Sequence, residues 1–177
     1  MSFQLYDNGV SRALKLDYPT EIEAESPPMN KESWPLKSKI RFVFPAREGL
    51  APVTLWWYDG GNPAPGNRYK HDGNNKPPRE AVADVAEMTG EVPSSGSILI
   101  GDKGKIFSGN DYGGSFHIKL AGDKELIASE KHEAVKAVAQ TIPRNEFKGG
   151  ADLRHHLEWI AACKGGKPGY SDFDNAA

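Results

Sequence analysis

An α+β fold is what this sequence predicts: a mostly antiparallel, open-faced sheet with helices packed on one face. Three features lead there. Short runs of alternating apolar and polar residues fill the middle of the chain, the pattern of strands with one buried face. Connections rich in Gly, Pro, Asn and Asp join these runs, consistent with antiparallel pairing of neighbours. Near the end, Leu153, Leu157, Ile160 and Ala161 recur at i, i+4, i+7 and i+8, the apolar stripe of a helix. The 177 residues suit one domain, taken as 1–177, long enough to bury a core without disulfides or metal clips.

At the start, Val10, Leu14 and Leu16 mark the last turns of a helix. It ends before Tyr18-Pro19, because the residue ahead of a proline disfavours helical backbone. Glu21 to Glu25 reads as a short strand. Lys39 to Phe44 reads as a better one, with Ile40, Phe42 and Phe44 on one face and Lys39, Arg41 and Val43 on the other. Val53 to Asp59 follows the turn-rich Pro45 to Pro52 and is expected to pair with it. The stretch Gly60 to Pro78 has no hydrophobic period and predicts a long irregular loop. Glu80 to Met88 fits a short helix, with Ala81, Val85 and Met88 sharing a face. A meander follows: Ser97 to Ile100, the hairpin turn Gly101-Asp102-Lys103-Gly104, Lys105 to Phe107, a turn-rich stretch to Gly114, and Ser115 to Leu120. In that last run Phe116, Ile118 and Leu120 alternate with His117 and Lys119, a strand with one buried face. The C-terminal helix is terminated by Gly165 and Gly166, and Pro168 prevents its resumption.

With 22 basic and 24 acidic residues and a formal charge of -2, the chain offers no electrostatic ground for nucleic acid or an anionic membrane as its main partner. Nowhere do about 18 apolar residues run together. Met1 to Asn8 lacks the basic start and apolar stretch of a signal peptide, and a signal in a longer parent would lie outside these residues. Cys163 is the only cysteine, so an intramolecular disulfide and a thiolate cluster are ruled out. With no His or Asp at nucleophile spacing, it reads as a packing residue. Composition leaves the compartment open.

In Val53 to Asp59, Val53, Leu55 and Trp57 point to one side and Thr54, Trp56 and Tyr58 to the other, so both faces are aromatic. Three readings of Trp56 and Tyr58 follow: a strand covered on both sides by the chain itself, a subunit interface, or a platform on which sugar rings stack. His155 and His156 diverge by about 100° on their helix and do not chelate one ion together. One of them suits a substrate hydrogen bond or a general base, against a structural role near a helix start. Arg144, after Ile142-Pro143, is a candidate anchor for a hydroxyl-rich or anionic ligand, against an ordinary surface arginine. No strand runs into Gly-x-Gly-x-x-Gly, so no cofactor-binding residue is assigned; no catalytic or metal-binding residue is assigned either.

The aromatic strand Val53-Thr54-Leu55-Trp56-Trp57-Tyr58-Asp59-Gly60-Gly61 and the ending His155-His156-Leu157-Glu158-Trp159-Ile160-Ala161-Ala162-Cys163-Lys164-Gly165-Gly166-Lys167-Pro168 carry a resemblance. Together they resemble the C-terminal domain of the glucose-fructose oxidoreductase, inositol dehydrogenase and rhizopine-catabolism (Gfo/Idh/MocA) family, in its bacterial branch. Similarity runs from about Leu14 to Ala177 and is densest at Pro19 to Ala24, Val53 to Gly61, Ile98 to Gly104 and His155 to Asp174. In full-length relatives an N-terminal Rossmann domain binds NAD or NADP, while the C-terminal α+β domain helps form the substrate pocket and commonly mediates oligomerisation. Their reactions are usually hydride transfers to or from a sugar-like hydroxyl or carbonyl, and some use NAD in glycoside cleavage.

The resemblance thus implies a substrate-side and oligomerisation domain of an NAD(P)-dependent oxidoreductase acting on a sugar or polyol, inactive alone and assembled as a homo-oligomer. Within that reading the candidates named above take these places: Tyr58, Arg144, His155 and His156 as substrate contacts, and Trp56 and Tyr58 as oligomer contacts. Two other expectations compete: a carbohydrate-binding module using Trp56, Tyr58 and Tyr112, and a purely structural homo-oligomerisation domain. The sequence also departs from the family. It has no Glu-Lys-Pro segment, whose lysine assists catalysis in relatives, and no Asp-x-x-x-His helix ahead of Leu5 to Leu16, the segment that follows that helix in relatives. Relatives also continue past Ser171-Asp172-Phe173-Asp174. No catalytic residue of the family transfers to this chain.

Overall fold

The computed structural model describes residues 11–27, 32, 34–110, 115–139 and 145–169. Val10, Tyr112 and Arg144 lie outside the described residues. Helix α1 (Ser11–Leu14) stands where a helix end is expected. Strands β1 (Glu21–Glu25), β2 (Lys37–Phe44) and β3 (Val53–Gly60) form an antiparallel sheet with β2 in the centre. Glu48 and Gly49 turn the chain between β2 and β3 with positive φ values of 45° and 80°. That is the backbone of a two-residue turn whose twist suits antiparallel neighbours. Arg47, beside this turn, donates to the carbonyls of Leu14, Lys15, Pro45 and Ala51, tying α1 to the sheet.

The register bears out the predicted strand phases. Ala24 lies opposite Ile40 and Ile40 opposite Trp57; Ile22 lies opposite Phe42 and Phe42 opposite Leu55. Residues directly opposite share a face, so this side is apolar. The other side carries Glu23, Arg41 and Trp56 in one row and Glu25, Lys39 and Tyr58 in the next.

The α+β expectation holds, with the strands distributed over three antiparallel sheets. The stretch after Gly60 is not a featureless loop: β4 (Pro63–Ala64) and β5 (Asn67–His71) make a small hairpin. It is held by Asp72, whose carboxylate accepts from the amides of Asn62 at 2.9 Å and Asn74 at 3.0 Å. Asn75 then donates its side-chain amide to the carbonyls of Ser38 at 2.7 Å and Asp59 at 2.8 Å, closing the end of the β2–β3 pair. Such polar contacts leave no hydrophobic period to read.

Helix α2 (Arg79–Thr89) ends at Gly90, whose φ of 83° gives the left-handed backbone that stops helices. Its buried residues are Val82 and Val85, not the predicted trio, since Met88 is 36% exposed. The buried face is centred between Val82 and Val85, and Met88 falls at its margin. Strands β6 (Ser97–Gly101), β7 (Gly104–Ser108) and β8 (His117–Leu120) form the predicted meander, and a fourth strand that was not predicted, β9 (Ile127–Ala128), pairs with β8. Asp102 and Lys103 make its first turn between the paired Gly101 and Gly104. Val85 packs with Phe107 and Leu126, and Ile98 lies against them, which places α2 on one face of this sheet.

After the short helix α3 (Glu133–Lys136), α4 (Ala151–Cys163) ends as expected. Gly165 donates to Ala162 O at 3.0 Å and Gly166 to Ala161 O at 2.9 Å, the paired bonds of a left-handed helix stop. The stripe on α4 is only partly covered: Leu157 and Ala161 are half-buried, while Leu153 and Ile160 are exposed. Cys163 is exposed rather than packed, because it sits about 120° around the helix from Leu157 and about 160° from Ala161, the covered residues of the stripe.

Candidate functional site

The outer face of the β1–β2–β3 sheet is built from three strips. Strand β1 contributes Glu21, Glu23 and Glu25, β2 contributes Lys39 and Arg41, and β3 contributes Trp56 and Tyr58. Alternation along each strand places these side chains together, and the antiparallel register aligns opposite charges across the first pair. Lys39 Nζ lies 2.9 Å from Glu25 Oε1. Arg41 reaches two carboxylates, with Nε 3.0 Å from Glu23 and Nη2 3.2 Å from Glu21. The hydrogen bond to Glu25, reinforced by its charge, holds the Lys39 ammonium above its ordinary pKa. Glu23 first, and then Glu21, do the same for the Arg41 guanidinium.

The aromatic strip is engaged with the charged ones. Trp56 and Tyr58 are stacked with ring centres 6.5 Å apart and planes 29° from parallel. Lys39 Nζ sits 4.9 Å from the centre of the Trp56 ring, a cation held by the electron-rich face of the indole. Trp56 is nevertheless 43% exposed, so it is not the doubly covered strand residue of the first reading. A sugar ring stacking on the indole face that Lys39 occupies would have to displace that ammonium. Lys37, opposite Gly60, shares this side by register, so three acids face three bases. The arrangement is a charge-balanced surface that carries Trp, Tyr and Arg, residue types that anchor interfaces. Its carboxylates are committed to ion pairs.

No protein-family model matches the chain, and no curated protein matches it.

The remaining predicted site residues are elsewhere. His155 and His156 lie on α4, both exposed, with ring centres 6.3 Å apart and planes 42° apart. No hydrogen bond or ring contact joins them to Trp56 or Tyr58 among the described residues. Asp152 precedes His156 by four residues and therefore shares its side of the helix. Arg144 and Tyr112 are outside the described residues. Among the described residues no three His, Cys, Asp or Glu side chains are grouped to hold a metal ion, and no helix is long and apolar enough to cross a membrane.

Two polar clusters were not legible in the sequence. His132 donates from Nε2 to Asp123 Oδ2 at 3.0 Å, while its Nδ1 accepts from the Ala134 amide at 3.2 Å. Asp123 also accepts from the Leu120 amide at 2.7 Å. That amide, and then His132, hold its carboxyl below the usual range. Both ring nitrogens are engaged, so the pair clamps the β8 turn to α3 rather than offering a free base. The second cluster is Asp84 on α2, 2.7 Å from both Lys105 and Lys119. A hollow of about 140 Å³ lined by Asp17, Tyr18, Thr20, Phe44, Pro45 and Arg47 is smaller than ordinary ligand pockets, and Arg47 already spends its donors on backbone carbonyls.

Proposed function

We propose that this chain is the substrate-side and oligomerisation domain of an NAD(P)-dependent oxidoreductase acting on a sugar or polyol. The observation that carries the reading is where the segments of the family resemblance fall: their described residues lie on regular elements, β1, β3, the β6–β7 hairpin and α4.

In this reading the dinucleotide is held outside these residues, whose sheets are antiparallel and whose helix α2 opens on Pro78 rather than on a glycine-rich turn fed by a parallel strand. In this reading hydride chemistry belongs to the cofactor and its own domain, and this chain binds and orients the hydroxylated substrate. The test is a fluorescence titration with NADH and NADPH of this chain and, in parallel, of a version carrying a Rossmann domain. Binding by the longer protein alone is the expected result. Tight binding by the 177-residue chain would overturn the domain assignment.

A further inference from the structure

We infer that His132 is an acid-sensitive latch: on taking up a proton, its imidazole keeps its hold on Asp123 and lets go of helix α3. The device is independent of the oxidoreductase reading above, since it needs neither substrate nor cofactor.

The partners of the ring dictate its protonation state. The Asp123 carboxylate accepts only, so the nitrogen 3.0 Å from it, Nε2, carries the hydrogen. The Ala134 amide donates only, so the nitrogen 3.2 Å from it, Nδ1, is bare. A neutral ring of this one tautomer satisfies both contacts. The next proton has one place to go, Nδ1, where it turns the acceptor into a donor facing the N–H of Ala134. That bond is then lost, whereas the bond to Asp123 gains the attraction of opposite charges. Because the side chain is only 10% exposed, water does not satisfy the new N–H where it stands, and Ala134 must move aside.

The two sides of the latch are held unequally. Asp123 is tied to the end of β8 through the Leu120 amide at 2.7 Å, and that sheet is packed through Phe107 and Leu126. By contrast α3 is a single turn with no buried residue to anchor it, and Val138, just beyond, is 73% exposed. His132 is its N-cap, and the ring accepts from the second residue of the helix. So short a helix does not persist by itself, and losing the cap frees Glu133 to Val138 from the sheet.

The surrounding charges leave this response intact. Asp123 faces the ring from the turn after β8, and the Leu120 amide first, then His132, hold its carboxyl below the usual range, so it stays ionised while an imidazole titrates. Lys124 and Glu125, beside it in sequence, are opposite in sign. Lys119 on β8 acts on Asp123, but its ammonium is bound to Asp84 of α2 at 2.7 Å and also feels Glu87 of that helix. On the ring's own segment Glu133 pairs with Lys136 at 2.6 Å, and Glu130 and Lys131 on the preceding turn offset each other in charge.

The experiment is a pH titration of the isotope-labelled full chain by nuclear magnetic resonance, from about pH 8 to about pH 5. It reads the ring nitrogens of His132 and the backbone of Glu133 to Lys136. At the upper end Nδ1 should be bare and Nε2 protonated. On acidification the helical carbon shifts of α3 should fall by about half or more, in step with protonation of the ring, while the amides of β7 and β8 keep their positions. His132→Asn should hold α3 at both ends of the range, because its side-chain oxygen caps a helix without titrating. His132→Ala, which removes the cap, should show the acid form already at the upper end. A ring that takes up no proton over this range, an Nδ1 that carries hydrogen at the upper end, or an α3 unmoved as the ring titrates would each overturn the inference. So would a His132→Asn variant that responds to acid as the wild type does, or a His132→Ala variant that keeps the helix.

Discussion

Replacing Gly60 by alanine lowers the unfolding free energy by about 3 kcal/mol. Gly60 ends β3 with a φ of 74°, a left-handed backbone that costs an L-residue about 1–2 kcal/mol. A Cβ built there would lie 1.8 Å from the carbonyl oxygen of Leu36 and 2.7 Å from its carbon. Backbone rather than a flexible side chain must give way. The displaced carbonyl is the one that accepts from the Gly61 amide at 2.9 Å, so the join between β3 and the start of β2 opens with it. Gly66 supplies the control. Its φ of 75° is the same, yet nothing lies within 4 Å of the added carbon, so Gly66→Ala should cost only the conformational share of about 1 kcal/mol. Urea unfolding of the two variants settles the matter, and equal losses would show that the close approach to Leu36 carries no energy.

Removing the Asp84 carboxylate by alanine should cost about 2 kcal/mol. Lys105 and Lys119 lie directly opposite each other on β7 and β8, where like charges destabilise a sheet. Asp84 reaches down from α2 and places one oxygen 2.7 Å from each ammonium. Its side chain is 18% exposed and theirs are 25%, so water screens the group only in part. Asp84→Ala leaves two facing cations and releases α2 from the sheet that it covers with Val85. Asp84→Leu combined with Lys105→Met and Lys119→Met removes charge and partners together, and should recover most of the loss.

The acid limb of stability follows from the same cluster. Hydrogen bonds from Lys105 and then Lys119 hold the Asp84 carboxyl below the usual carboxylate range. A carboxyl depressed in the folded state binds its proton more readily when unfolded, so its contribution is complete above the unfolded value of about 3.9. It is lost as pH falls through the lower folded value. The melting temperature of the wild type should therefore fall more steeply below about pH 4 than that of Asp84→Asn, and parallel curves would refute this role.

Strand phase was legible in the sequence wherever alternation was strict. Ile40, Phe42 and Phe44 against Lys39, Arg41 and Val43 define two faces of β2, and the register keeps both. The turn at Asp102 and Lys103 and the glycine stop of α4 were legible too, because their backbone demands select residue types locally. The β4–β5 hairpin was not, since Asp72 and Asn75 hold it through polar contacts that have no period. The buried face of α2 was placed slightly off, because Ala81, Val82, Val85 and Met88 overlap in angle and only the sheet beneath selects among them.

The candidate site divides in the same way. Sequence alone determined that Trp56 and Tyr58 share one side of a strand, and that His155 and His156 share a helix without converging. It also determined that no thiolate cluster or Gly-x-Gly-x-x-Gly turn is present, since these depend on residue type and local spacing. Only the tertiary structure decided that Glu23 meets Arg41, that Lys39 covers the Trp56 indole, and that Asp84 bridges two lysines. Those partners are many residues apart along the chain. Their meeting is set by strand register and by the seating of a helix on a sheet, which are properties of the packed chain rather than of any window within it.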